Sequence, residues 1–251
     1  MKEKLLFLWI IMLSITLSVS AQRTYVPDDN FEQALIAIGR DDVMDNYVTT
    51  ANLDNLAFLK MNNQGIRDLT GIQDFFDLQS LEVVGNNLVT LDVRNMQASR
   101  FVLKCDNNGL TSLYFDEKLV FLSCSDNQLT QLDLSHTVIT GLTAKNNRLT
   151  DLNVKNGEND KFSDFDVSGN PNLLCIEVDD EDYANANWTD IDATASFSEN
   201  CSRFGETYVP DDNFEQALID QGYDAVLDDY VVTDHIKSVV NLTIASKNIS
   251  I

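Results

Sequence analysis

The feature that most constrains this chain of 251 residues is internal repetition on two length scales. The segment from Thr24 to Ile36, TYVPDDNFEQALI, recurs letter for letter from Thr207 to Ile219. Between the two copies a shorter unit of roughly 19 to 23 residues recurs several times. Units of this size bury their apolar side only by stacking on neighbours, so the pattern predicts a tandem array that ends and then begins again.

The short unit has a fixed pattern of eleven positions: leucine, any residue, an apolar residue, two residues of any type, asparagine, any residue, leucine, two residues of any type, and leucine. The complete copies LEVVGNNLVTL, LKCDNNGLTSL, LSCSDNQLTQL and LTAKNNRLTDL begin at Leu81, Leu103, Leu122 and Leu142. A weaker copy begins at Leu59, with Gln64 in the asparagine position, and a terminal copy begins at Phe165. The asparagines that keep a constant offset are Asn86, Asn108, Asn127, Asn147 and Asn170.

The start of each unit alternates apolar and polar residues, which predicts a short strand with one side facing inward. In the first complete copy, Leu81 and Val83 face the interior, and Leu88 and Leu91 return to it beyond a bend. The asparagine lies where the chain leaves the strand, and its amide can bond main-chain groups that the bend leaves unpaired. We interpret these asparagines as structural and expect a parallel sheet on one curved face, with irregular or 3₁₀ segments on the other.

From about Leu56 to Val178 these units resemble the leucine-rich repeat family. The resemblance implies an α/β solenoid with a short-strand parallel sheet and a helical N-terminal cap. The motif PDxNFExAL before the units and NPNLxCIxVDD from Asn170 to Asp180 are similar to those of secreted leucine-rich repeat proteins of the Bacteroidetes type. In that group the first motif precedes the coils and the second closes them. The segment from Ala186 to Cys201 looks like the C-terminal cap of the same group.

The N-terminus predicts export. Lys2 and Lys4 precede the apolar run 5–17, and small residues follow it before an expected cut after Ala21. The run is too short to favour a membrane span. We expect a signal peptide over 1–21, an N-terminal helical cap over 22–55, coils over 56–178 and a C-terminal cap over 179–205.

The second long copy predicts a further array. With an offset of 183, Leu242, Ile244 and Ile249 align with residues of the first coil, so residues 206–251 are interpreted as the start of a second capped array, truncated from a longer protein. The alternative is a degenerate or domain-swapping tail.

The first long repeat also predicts where the helix of the N-terminal cap begins and ends. Asp29 is expected to cap a helix in which Glu32 completes a capping box. Phe31, Leu35 and Ile38 are expected to line its apolar face, and Gly39 follows the last turn.

The four cysteines divide into two kinds. In an exported protein, Cys175 and Cys201 are expected to form a disulfide that fastens the C-terminal cap over the last coil. Cys105 and Cys124 occupy the inward strand position of adjacent coils, where parallel side-chain directions favour buried thiols over a relaxed disulfide. The disulfide alternative for this second pair stays open.

The formal net charge of −23 argues against nucleic acid as a partner, because phosphate neutralisation needs clustered lysine and arginine. Solubility explains the excess of acid, and loose divalent-cation binding by aspartate clusters is the alternative. No catalytic motif is found: His136 and His235 are the only histidines and lie far apart in the sequence. We expect no enzymatic activity, no cofactor and no dedicated metal site.

Function is therefore expected on the outward positions of the strands. They form one column of Lys60, Glu82, Lys104, Ser123, Thr143 and Asp166, and a second of Asn62, Val84, Asp106, Ser125, Lys145 and Ser168. The candidate ligand-binding residues are Lys60, Glu82, Lys104, Asp106, Lys145 and Asp166. The expected function is extracellular recognition or adhesion, at the cell surface or as a secreted protein, with an unidentified protein or glycan as partner. The alternatives are a structural spacer in a larger surface protein and a noncatalytic accessory array of a longer enzyme.

Overall fold

The computed structural model describes residues 21–94, 96–242, 244 and 249. Apart from residue 21, the expected signal peptide lies outside the described residues, as does most of the expected new coil after Leu242. Within the described ranges no helix has the length and apolarity to cross a membrane.

The N-terminal cap consists of strand β1 (Arg23–Tyr25), helix α1 (Asp29–Ala37) and strand β2 (Tyr47–Thr49), followed by the 3₁₀ turn Thr50–Asn52. Strands β1 and β2 pair antiparallel. Phe31 and Leu35 of α1 are fully buried, and the Phe31 ring lies 6.2 Å from that of Phe75 in the first coil. The helix thus covers the open end of the array, as expected.

Three details of this cap differ from expectation. Asp28, not Asp29, is the N-cap: its Oδ1 accepts from the main-chain N–H of Phe31 at 2.9 Å. Glu32 then falls one position too late for a capping box and is buried, with Oε1 accepting from the N–H groups of Asp45 and Tyr47. Ile38, expected on the apolar face, is 46% exposed at the C-cap, while Gly39 follows it with φ of +73° as expected.

The coils contain short strands on both sides. In chain order these are β3 (Phe58–Lys60), β4 (Ser80–Glu82), β5 (Thr90–Asp92), β6 (Phe101–Lys104), β7 (Ser112–Tyr114), β8 (Leu119–Ser123), β9 (Gln131–Asp133), β10 (Gly141–Thr143), β11 (Asp151–Asn153), β12 (Asp164–Asp166) and β13 (Cys175–Glu177). The first face is a six-stranded parallel sheet in the order β12-β10-β8-β6-β4-β3. Its register stacks Leu59, Leu81, Leu103, Leu122, Leu142 and Phe165 in one buried column. The predicted leucine column and the leucine-rich repeat solenoid are confirmed.

The second face is more regular than expected. Instead of irregular or 3₁₀ segments alone, it carries a parallel pair, β5-β7, and a four-stranded parallel sheet, β14-β13-β11-β9, in which β14 is Ser196–Ser198. Only Ile72–Asp74 and Asn159–Lys161 are 3₁₀ within the described coils. The alternation of outward Thr90 and Asp92 around inward Leu91 is a strand pattern, but three residues are too few for periodicity to reveal it.

The C-terminal cap contains helix α2 (Glu181–Asn187), β14 and the 3₁₀ turn Cys201–Arg203. Trp188 is buried and stacks on Phe165 of the last first-face strand, with ring centroids 4.1 Å apart. Cys175 of β13 is bonded to Cys201, with Cα atoms 5.8 Å apart. The predicted disulfide is therefore confirmed.

Residues 206–236 reproduce the contacts of the first cap in strand β15 (Glu206–Tyr208), helix α3 (Asp212–Asp220), strand β16 (Tyr230–Val232) and helix α4 (Thr233–Ile236). Asp211 caps α3 as Asp28 caps α1, and buried Glu215 accepts from Asp228 and Tyr230 as Glu32 does in the first copy. This segment has a small core of Val209, Leu218 and Val231. The coil expected after it stays a prediction.

The repeated asparagines tie each coil to the one before it. Asn127 is 7% exposed, and its Nδ2 donates to the carbonyl of Cys105 in the preceding coil (3.1 Å) and of Cys124 in its own (3.0 Å). Its Oδ1 accepts from the N–H of Leu110 in the preceding coil at 3.0 Å. The same bonding across two coils is made by Asn86, Asn108, Asn147 and Asn170. This geometry agrees with the interpretation of the repeated asparagines as structural residues.

The residue before each repeated asparagine, and before Gln64 in the first coil, has left-handed backbone geometry. These residues have φ between 53° and 76°, a range that favours glycine, asparagine and aspartate: Asn63, Gly85, Asn107, Asp126, Asn146 and Gly169. The N–H of Asp126, for example, donates to the carbonyl of Lys145 in the following coil. Each bend is therefore linked to the coils on both of its sides.

Replacing Asn127 with Ala should destabilise the protein by about 1–3 kcal/mol, because the buried N–H of Leu110 loses its partner, while the carbonyls of Cys105 and Cys124 each keep a bond from a neighbouring asparagine. Chemical denaturation monitored by circular dichroism would measure this. Asn172→Ala is the matched control: that side chain is exposed, and the change should stay within about 0.5 kcal/mol. Equal stabilities for the two variants would contradict the proposed role of the asparagine.

Cys105 and Cys124 are unbonded to each other and fully buried, as predicted. Burial raises the pKa of both thiols, so the reactive thiolate is scarce at neutral pH. In the folded protein without reductant, we expect neither thiol to react with a disulfide reagent at pH 8. After unfolding in guanidinium, two thiols per chain should react. No reaction after unfolding would instead indicate a second disulfide.

Candidate functional site

The outward side chains of the six-stranded sheet form the surface that we call the strand face. Lys60, Glu82, Lys104, Ser123, Thr143 and Asp166 lie side by side in one column, because the strands pair in that register. Asn62, Val84, Asp106, Ser125, Lys145 and Ser168 follow two residues later in each coil. All six candidate residues from the sequence therefore lie on one face.

Most charges of the strand face are already paired with each other. Lys60 Nζ lies 2.7 Å from Glu82 Oε1, and Asn62 Nδ2 also donates to that carboxylate. The hydrogen bond from Lys60, followed by that from Asn62, lowers the pKa of Glu82. Across the sheet, Lys145 Nζ lies 3.7 Å from Asp166 Oδ2. A ligand that used these groups would have to compete with their present partners.

The carboxylate of Asp106 is occupied by hydrogen bonds within the strand face. Its two carboxylate oxygens accept from Ser123 Oγ at 2.7 and 2.8 Å, and one of them also accepts from the N–H of Ser125. Thr143 Oγ1 donates in turn to Ser123 Oγ at 2.8 Å. This chain of bonds runs across three adjacent coils and fixes these side chains relative to one another in the middle of the face.

Lys104 differs from the other candidate lysines. Within the described residues it forms no ion pair, and its Nζ lies 6.0 Å from the centroid of the Phe121 ring. The ring in turn covers Gly141, where an added Cβ would stand only 2.7 Å from Phe121 Cδ2. The absence of a side chain at residue 141 thus allows the ring to lie against the sheet.

Phe121 belongs to a third outward column that the sequence reasoning missed. Two residues before each member of the first column stand Phe58, Ser80, Val102, Phe121, Gly141 and Asp164. Phe58 is 73% exposed, and Val102 and Phe121 are partly exposed. The sequence interpretation followed only the two later columns, neither of which contains an aromatic residue. The segments FLK, VLK and FLS begin at Phe58, Val102 and Phe121 and alternate outward and inward residues. This alternation could have placed the three apolar side chains on the outer face. We call Phe58, Val102 and Phe121 the apolar strip.

The two histidines have local roles. His136 is exposed and its ring stacks parallel to that of Phe115, with centroids 5.8 Å apart, while His235 Nδ1 lies 3.1 Å from the carbonyl oxygen of Tyr223. Among the described residues, no three histidine, cysteine, aspartate or glutamate side chains are grouped as metal ligands.

No protein-family model and no curated protein matches the chain. Three similar solved structures are from Listeria monocytogenes. The functional domain of InlJ, which includes a cysteine ladder, is 30% identical over 63% of this chain, with a TM-score of 0.47. The internalin InlF is 15% identical over 65% of this chain (TM-score 0.39), and internalin C2 is 18% identical over 71% (TM-score 0.28). The matches span 38%, 55% and 99% of those chains. All three TM-scores are low, so it is the register of the chain's own coils that identifies a leucine-rich repeat solenoid.

Proposed function

We propose that this protein is an exported, non-enzymatic recognition or adhesion module whose strand face binds another extracellular protein. The observation that carries the proposal is the apolar strip beside the unpaired charge of Lys104. Aromatic side chains flanked by a cation are typical of the residues that dominate binding energy in protein interfaces. The partner surface would offer an apolar patch next to a carboxylate.

Rigidity supports this choice of face. The side chains project from a hydrogen-bonded parallel ladder, and the bonds among Asp106, Ser123 and Thr143 fix the centre of the surface. A surface that is already ordered loses little conformational entropy on binding, so more of its contact energy appears as affinity. The paired charges around the strip would set orientation and exclude ill-matched partners.

An extracellular location is supported by the Cys175–Cys201 disulfide, because such bonds persist in oxidising compartments. The signal peptide proposed for residues 1–21 would provide the route. The Bacteroidetes-type relationship suggested by the cap motifs remains part of this proposal.

A structural spacer is the second candidate. The repetition of the whole cap, including the capping aspartate and the buried glutamate, favours a modular array in which some modules only extend the chain. In that case the strand face would bind nothing specific.

The double variant Phe58→Ser and Lys104→Glu tests the proposal. We expect at least a tenfold loss of affinity for surface proteins captured from host or neighbouring cells, because both changes remove contacts at the strip. Thermal unfolding should stay nearly unchanged, since Phe58 is largely exposed and Lys104 has no ion pair among the described residues.

The matched control is Val89→Ser with Arg148→Glu, which likewise replaces an apolar residue by serine and a cation by glutamate, at exposed positions outside the strand face. Binding that falls in the control and persists in the strand-face variant would overturn the choice of face. Capture of a glycan instead of a protein would change the class of partner. Failure to retain any specific partner would favour the spacer.

A further inference from the structure

The second face of the solenoid is interrupted between two consecutive coils. Strands β7 and β9 form no ladder and belong to separate sheets, although β6 and β8 of the same coils are paired on the first face. No ladder hydrogen bond joins β7 to β9, whereas paired strands stand about 4.8 Å apart and exchange such bonds along their length. We call this gap, bounded by Ser112–Tyr114 and Gln131–Asp133, the seam.

The sequence of one coil accounts for the seam. Other coils continue from the second-face leucine as Leu-Asp-Val, Leu-Asp-Leu or Leu-Asn-Val, whereas this coil has Leu113, Tyr114 and Phe115. Elsewhere the aspartate or asparagine side chain accepts from the N–H two residues later, which Tyr114 cannot do. Phe115 replaces an aliphatic residue and is only partly buried, with its ring stacked on His136.

Chain length adds to this effect. Only residues 115–118 connect β7 to β8, whereas residues 93–100 and 134–140 make the same connection in the neighbouring coils. A shorter return leaves β7 less chain with which to follow β9. Leu113 is accordingly the one leucine of its inward column that is only partly buried, while Leu91, Leu132 and Leu152 are buried.

Both walls of the seam present main-chain groups. The Tyr114 carbonyl accepts from the N–H of Val93 at 2.8 Å, so Tyr114 faces β5 and its neighbour Leu113 faces the seam. On the other wall, the N–H of Leu134 donates to the carbonyl of Asn153 at 2.8 Å, so Leu134 faces β11 and Asp133 faces the seam. Between the walls lies a groove of about 420 Å³ with apolar groups of Leu113, Leu129 and Leu132 in its lining.

We propose that the seam is a docking site for an extended peptide segment of a partner protein, which enters as an additional strand. Two unpaired edges that face each other need a ligand with donors and acceptors alternating along both sides, and an extended polypeptide backbone has this pattern. A strand that pairs with both walls needs them about 9.6 Å apart, twice the ordinary spacing. Alternate side chains of the segment would be apolar and meet the leucines below.

Hydrogen exchange followed by NMR tests the seam directly. The probe is a capped peptide of alternating valine and threonine with glycine–serine ends. In the free protein, the amides of Leu113 and Asp133 should exchange at least tenfold faster than that of Leu134, whose N–H is bonded across the ladder. Saturating peptide should slow both seam amides at least tenfold. Protection of these amides in the free protein, or no protection by the peptide, would overturn the proposal.

The first control is the same peptide with alternate amides N-methylated, which keeps the side chains but cannot form both ladders. It should lose at least tenfold in affinity, and equal affinity would show that the backbone is not what is recognised. This comparison uses the unaltered protein and does not depend on the folding of any variant.

The second control restores the repeat pattern with Tyr114→Asp and Phe115→Val. If the seam closes, the peptide should no longer bind, and the Leu113 amide should become protected in the free protein. The strand-face variant Phe58→Ser with Lys104→Glu should bind the peptide unchanged, which separates this site from the one proposed above. Loss of peptide binding in the strand-face variant would place the peptide elsewhere and refute the seam.

Discussion

The fold depends on one inward-facing asparagine amide in each coil from Leu81 onward, which satisfies the main chain of two coils at once. A parallel solenoid must bend sharply at the end of every first-face strand, and each bend would leave N–H and carbonyl groups unpaired inside the protein. Asn127 and its equivalents bond these groups in their own coil and in the preceding one. Spacing between coils and register of the strands therefore follow from the same interaction that makes the bend possible.

Much of this was readable from the sequence because it depends on fixed offsets. The constant distance from strand leucine to asparagine predicted the stacked column, and the inward positions of Cys105 and Cys124 predicted buried thiols. The position of Cys175 in the last coil and of Cys201 in the cap after it predicted their disulfide. In each case one local rule and the global fold favour the same outcome.

The differences arise where patterns are short or neighbours compete. Asp28 and Asp29 are both suitable caps, but Glu32, which would complete a capping box with Asp29, instead accepts from the N–H groups before β2. The second-face strands are three residues long, so alternation alone could not distinguish them from irregular chain. The apolar strip was missed because exposure at Phe58 or Phe121 depends on which neighbours cover the ring. Gly141, one strand away, decides this for Phe121.

The strand face and the seam differ in how they could recognise a partner. On the strand face, charges such as those of Lys60 and Glu82 are mutually satisfied, so selectivity would come from the shape and polarity of the strip and its border. The seam offers main-chain groups, which recognise an extended conformation more than a particular residue. A single solenoid could thus combine a side-chain-specific surface with a conformation-specific one on opposite faces.

The position of the Cys175–Cys201 bond has a mechanical consequence. A pulling force applied to the chain beyond Cys201 passes through the covalent bond to β13 and bypasses the intervening α2, Trp188 and β14. The C-terminal cap therefore carries almost none of the tension, which is borne by the ladder between β13 and β11 and by the asparagine bonds behind it. In a protein tethered at a surface under flow, the part that seals the hydrophobic end of the array would be protected from extension.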